Sequence, residues 1–120
     1  MAFLPAPASS SERVRTVTAA ELARWLAEGG EDPPVVLDVR EPWEVQLASL
    51  PDAIHIPMGS LLASLDRLDP DRSTVCLCHH GVRSMQVAFY LQRQGFRDVI
   101  NLTGGIQAWS EQVDPAVPTY

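Results

Sequence analysis

Residues 76–84 read CLCHHGVRS and place both cysteines of the chain, two of its three histidines, a glycine and an arginine in one short stretch. Such a set could serve a bound metal, a dithiol pair, an anion-binding loop or one activated sulfur. The elements that carry each residue discriminate among these. Ser73–Leu77 is a continuous apolar run of the kind buried on both faces of a parallel sheet, and it delivers Cys78 at its carboxyl end. A helix is expected from near Ser84 to Gly95, with Val87, Ala88 and Leu91 inward and Gln86, Arg93 and Gln94 outward.

Cys78 thus falls between a strand end and a helix start. If Gly81 lets the backbone curl, the amides of residues 79 to 84 turn inward around the sulfur, and the helix adds its positive N-terminal end. Both favour a thiolate, since helix N-termini lower cysteine pKa values. Arg83 adds a permanent cation whose planar fork suits a tetrahedral oxyanion. A cation is locally unfavourable at a helix N-terminus, which argues for a functional reason. His79 and His80 supply hydrogen bonds or partial charge near neutral pH. The reading is an activated sulfur nucleophile, Cys78, facing a substrate-binding loop of His79, His80, Gly81, Val82, Arg83 and Ser84.

The other chemistries fare less well. Cys76 reads as a small core residue of its strand. The two cysteines, one residue apart, are expected to face opposite ways, which counts against both a disulfide and a shared zinc ion. No second ligand pair occurs elsewhere, so no metal and no cofactor is expected. Tyrosine phosphatases place five residues between cysteine and arginine, whereas only HHGV separates Cys78 from Arg83. The shorter ring suits one extra sulfur atom better than a phosphoryl group. His55, in a short apolar strand, reads as a hydrogen-bonded structural residue, and Gly104-Gly105 as a turn.

The remaining chain supplies the scaffold. At 120 residues it holds one domain. Its net charge of −6 gives no basic field for nucleic acid or anionic membrane, and no apolar run reaches the length of a membrane span. The start lacks an export-signal pattern, so free thiols in a reducing, cytoplasmic setting are expected. Residues 1–15 read as a flexible N-terminal tail, 16–113 as a single domain and 114–120 as a C-terminal tail. Thr18-Ala-Ala-Glu21 is a capping box opening a helix from Ala19 to about Glu28. Strand PVVLDV, a helix start at Glu41-Pro42, a brief strand Ala53–Ile56, a short helix capped by Ser60, a strand Val99–Leu102 and a helix Ile106–Val113 follow. Strands alternating with helices define a three-layer α/β domain with a mostly parallel central sheet, whose ligands bind at strand carboxyl ends.

Four segments together resemble the rhodanese family of single-domain sulfurtransferases: VVLDVREPWE at 35–44, LPDAIHIPM at 50–58, CHHGVRS at 78–84 and GFRDVINLTGGIQAW at 95–109. The resemblance spans about residues 16–112 and implies a rhodanese-like domain. It also implies ping-pong transfer of sulfane sulfur from thiosulfate or a related donor, through a persulfide on Cys78, to cyanide or a thiol. Arg83 matches the position that binds the donor anion. Asp38 and Arg40 match a structural pair, with Glu41 and Glu44 as candidate partners of Arg40. Where the family often reads Gly-His-Ile-Pro-Gly-Ala, this chain has Ala48-Ser49-Leu50-Pro51-Asp52-Ala53. A sulfur-relay module with a protein donor and a non-catalytic regulatory domain are the competing functions the resemblance leaves open.

Overall fold

The computed structural model describes residues 13–120, and most of the expected N-terminal tail lies outside them. Strand β1 (Arg15–Val17) opens the described chain, so Arg15 is strand rather than tail. Its guanidinium pairs with Asp98 at 3.0 Å and lies over the Trp25 ring. At three residues, β1 is too short to leave a pattern in the sequence. Helix α1 (Ala19–Glu28) starts as predicted. Thr18 Oγ1 accepts from the Glu21 amide at 3.1 Å, and a Glu21 carboxylate oxygen accepts from the Thr18 amide at 2.8 Å.

Strand β2 (Val35–Asp38) follows, then helix α2 (Pro42–Leu47), strand β3 (Ile54–His55) and strand β4 (Thr74–Leu77). Between β3 and β4 the expected short helix is present in 3₁₀ form, as Leu62–Arg67, preceded by a further 3₁₀ turn, Met58–Ser60. Ser60 lies inside the first turn and caps nothing. The tight turns still bury Leu61 and Leu68, which is what the apolar spacing demanded. Helix α3 (Val82–Arg93), strand β5 (Val99–Leu102) and helix α4 (Gly105–Gln112) complete the chain. Helix α3 begins two residues ahead of Ser84, because Gly81 at φ +105° reverses the backbone and lets Val82 enter the helix.

The strands form one sheet in the order β1-β5-β4-β2-β3, all neighbours parallel. Strands β4 and β5 are buried along their whole length, as continuous apolar runs predict. Alternate strand residues feed two separate cores. Val36, Val75, Leu77, Ile100 and Leu102 pack with Leu22 of α1 and Ile106 and Trp109 of α4. Leu37, Cys76 and Val99 pack on the other face with Val87, Ala88 and Leu91 of α3. Each fully buried leucine contributes about 1.5–3 kcal/mol relative to its exposed state.

Cys76 and Cys78 belong to the same core, under α3. The expectation that they face opposite ways is therefore corrected: strand residues two apart point to one face, and only immediate neighbours alternate. Both are free thiols. Residues 114–120, expected as a tail, pack back on the domain. Val117 is buried, and Ser110 Oγ donates to its carbonyl at 2.7 Å. Among the described residues no helix is long and apolar enough to cross a membrane.

Candidate active site

The carboxyl ends of β2, β4 and β5 converge on the loop 78–84, and each contributes a different constraint. Strand β4 delivers Cys78, 1 % exposed, and the next strand fixes the loop from beneath. The amides of Ile106 and Gln107, at the start of α4, donate to the carbonyls of Cys78 and His79 at 2.9 and 3.2 Å. Gly105 makes this contact possible: a Cβ there would lie 2.4 Å from both carbonyl oxygens. Gly104-Gly105 is thus a turn, as expected, and also a close backbone approach.

Two donors reach the sulfur. The Gly81 amide donates to Cys78 Sγ at 3.0 Å, its direction set by the positive φ of that residue, and Ser84 Oγ lies 3.2 Å from Sγ. Ser84 is fully buried and also lies 2.5 Å from Asn101 Oδ1. The same Asn101 side chain donates from Nδ2 to the Gly81 carbonyl at 3.1 Å. One amide of β5 therefore ties both ends of the loop together.

Arg83 is half-buried and forms a two-pronged ion pair with Glu44 of α2, at 2.6 and 2.8 Å. Glu44 is buried. Its other oxygen contacts accept from the Glu41 amide at 3.0 Å and from the Tyr120 hydroxyl at 2.7 Å. The Arg83 guanidinium holds the Glu44 carboxyl down at about 2, against the burial that opposes it. The same contact raises Arg83. Arg40, wholly buried, binds Asp38 through Nε and Nη2 at 2.9 and 2.6 Å and the Tyr120 hydroxyl at 2.9 Å. The candidate partnership of Arg40 with the Glu44 carboxylate is replaced: Arg40 reaches only the Glu44 backbone carbonyl, at 3.3 Å, while the carboxylate faces Arg83. His55 Nε2 lies 2.7 Å from the Arg40 carbonyl, matching its structural reading.

The loop's remaining residues line its mouth. His79 lies between the rings of His80 and Tyr120, each with its centroid 3.9 Å away. Burial lowers the His79 pKa, the neighbouring His80 adding to the effect. His80 is exposed, and Val82 is 71 % exposed at the rim. Among the described residues no three metal-ligating side chains come together. Cys76 stays below the loop, its thiol pushed far up by burial.

Three participants escaped the sequence reading as site residues: Glu44, Asn101 and Tyr120. Asn101 left a signal, as a polar residue within the apolar strand VINL. Tyr120 left none.

A parallel sheet presenting a hydrogen-bonded cysteine at a strand end, with an arginine five positions on, is the architecture of a rhodanese-like domain. The chain matches the family described as Rhodanese-like domain over residues 18–112, and it belongs to that family. It is similar to a rhodanese-like/PpiC domain-containing protein of Arabidopsis thaliana, 48 % identical over 74 % of this chain but only 31 % of that relative's length. A sulfurtransferase of Allochromatium vinosum is 34 % identical, with 87 % of this chain and 95 % of the relative covered. A thiosulfate sulfurtransferase of Pseudomonas syringae is 36 % identical over 74 % of this chain and 81 % of its own length. The crystal structure of a rhodanese-like domain protein from Staphylococcus aureus superposes with a TM-score of 0.76 at 29 % identity, covering 89 % of this chain and 99 % of that one. These relatives support sulfur transfer as the general class of activity.

Proposed function

We propose that the protein transfers sulfane sulfur through a persulfide on Cys78. The observation that carries this reading is the placement of Cys78 Sγ under the Gly81 amide and the Ser84 hydroxyl, with Arg83 in the same loop. The Cys78 thiolate attacks the outer sulfur of a donor such as thiosulfate. The donor's S–S bond breaks, its electron pair leaves with sulfite, and a new S–S bond forms on Cys78. The loop donors then hold the terminal sulfur until an acceptor nucleophile, cyanide or a thiol, attacks it. Thiocyanate or a new persulfide leaves, and the thiolate returns. A relay protein fits the acceptor step on the same chemistry, and no cofactor is needed. Free, buried thiols suit a reducing compartment such as the cytoplasm.

Intact mass spectrometry tests this. Incubation with excess thiosulfate, and separately with the hydropersulfide of 2-mercaptoethanol, should add one sulfur to Cys78, and cyanide should remove it as thiocyanate. Cys78→Ser should take up none, while Cys76→Ala should still be loaded. No adduct from either donor on the folded wild-type protein would sink the proposal.

A further inference from the structure

We infer that Glu44 selects the donor: by matching the charge of Arg83 it turns the Cys78 site away from dianions such as thiosulfate and toward persulfides that carry one negative charge or none. This rests on the sulfur-transfer reading above and narrows its donor class.

The argument is a charge account around the sulfur. A dianionic donor must approach a thiolate, so the site has to supply excess positive charge to hold both. The two arginines joined to the site do not supply it. Arg83 is held by both oxygens of the buried Glu44 carboxylate, and Arg40 by both oxygens of the buried Asp38 carboxylate. Tyr120 bridges the two pairs without adding charge. Its phenol is pushed up from the ordinary range, burial first among the causes, so it stays neutral. Burial lowers the His79 pKa, so its imidazole adds no charge to the account at pH 8.

What remains is the partial charge of helix ends, about half a unit each. Helix α4 has its Ile106 and Gln107 amides already engaged by the carbonyls of Cys78 and His79. Helix α3 offers its start, and that falls short of a thiolate and a dianion together. The surrounding protein carries a net charge of −6 and adds a repelling field. A hydropersulfide, with one negative charge at most, meets much less of this penalty. The thiolate attacks its outer sulfur, the S–S bond breaks, and the electron pair leaves with the alkylthiolate, which takes a proton from water. Atoms and charge balance without any further reagent.

The test follows the rate of Cys78 persulfidation by mass spectrometry at pH 8, with thiosulfate and with the hydropersulfide of 2-mercaptoethanol. For the wild type, added KCl should speed the thiosulfate reaction, as screening relieves like-charge repulsion, and leave the hydropersulfide reaction nearly flat. Glu44→Gln should expose the Arg83 charge. The ratio of thiosulfate to hydropersulfide rates should then rise about tenfold or more at low salt, and added KCl should slow the thiosulfate reaction instead. In Glu44→Gln/Arg83→Gln the charges match again, and the gain in ratio should vanish. A wild-type thiosulfate rate that falls steeply with salt would overturn the inference without any variant. An unchanged ratio in a folded Glu44→Gln protein would overturn it too. Failure of both donors to load the wild type refutes sulfur transfer itself, which is a separate outcome.

Discussion

Asn101 Oδ1 lies 2.5 Å from Ser84 Oγ, and that same hydroxyl lies 3.2 Å from Cys78 Sγ. A serine has one proton to give. The Asn101 amide is oriented by its Nδ2 bond to the Gly81 carbonyl, so it can only accept from Ser84. Asn101 and the sulfur therefore compete for one proton. The hydroxyl can donate to only one of them at a time.

Asn101→Ala should accordingly damage the loop in two ways. The partly buried Gly81 carbonyl loses its partner, and the buried Ser84 hydroxyl loses the group that aims it. Stability should fall by about 2 kcal/mol, the usual cost of stranding a buried polar group. Sulfur transfer should fall by about tenfold as the Gly81 amide loses its alignment on Sγ. Urea denaturation and the persulfidation rate read the two effects separately. Wild-type rates in a folded Asn101→Ala protein would show that the tie to β5 has no part in the chemistry.

The close approach at Gly105 makes a steeper prediction. Its φ is +61°, and an added Cβ would meet two backbone oxygens at 2.4 Å, atoms that cannot swing away as a side chain could. Gly105→Ala must push α4 off the loop and break its two amide bonds to Cys78 and His79. A left-handed conformation alone costs about 1–2 kcal/mol for a residue with a Cβ, and the clash adds to it. The expected result is a clear loss of thermal stability together with loss of Cys78 loading. Gly95→Ala serves as the contrast: it also has positive φ, +93°, but open space around the Cβ, so it should pay the conformational cost and keep its activity.

Acid should weaken the protein through Glu44. Its folded-state pKa of about 2 lies below the ordinary value of 4.5. The folded state thus binds this proton less readily than the unfolded chain. The resulting stability is complete above about pH 5 and is lost as the pH falls toward 2. The difference is worth about 3 kcal/mol. Urea midpoints measured at pH 7 and pH 3 should drop more for the wild type than for Glu44→Gln, which has no proton to take up there. Equal drops would remove Glu44 from the account.

The parts of this domain visible in the sequence are those written in contiguous residues. The runs PVVLDV, STVCL and VINL announce buried parallel strands, Thr18 and Glu21 announce a cap, and CHHGVRS announces the loop. The site's supporting network is written otherwise. Arg83 meets Glu44 across 39 positions, and Tyr120 meets Glu44 across 76, so no local periodicity records either contact. Glu44 was visible as a candidate partner of an arginine, but the choice between Arg40 and Arg83 depends on which face of α2 it occupies. The short strand β1 was missed for a different reason, since three residues hold too few periods to separate one element from another.

One departure from the family pattern resolves into geometry. In Ala48–Ala53, where the family often has glycine, this chain places Asp52, and Asp52 has φ +63°, the only positive φ of a non-glycine residue among those described. The turn before β3 keeps a backbone conformation that glycine adopts freely and that aspartate adopts at some cost. Asp52→Gly should therefore relieve that strain, offset in part by the greater freedom glycine gives the unfolded chain. The net gain should be about 0.5–1 kcal/mol, seen as a rise of a few degrees in Tm. Asp52→Ala should move Tm down instead, because alanine has neither glycine's freedom nor aspartate's short polar side chain to bond locally. If both variants shift Tm in the same direction, backbone strain at residue 52 is not what the departure costs.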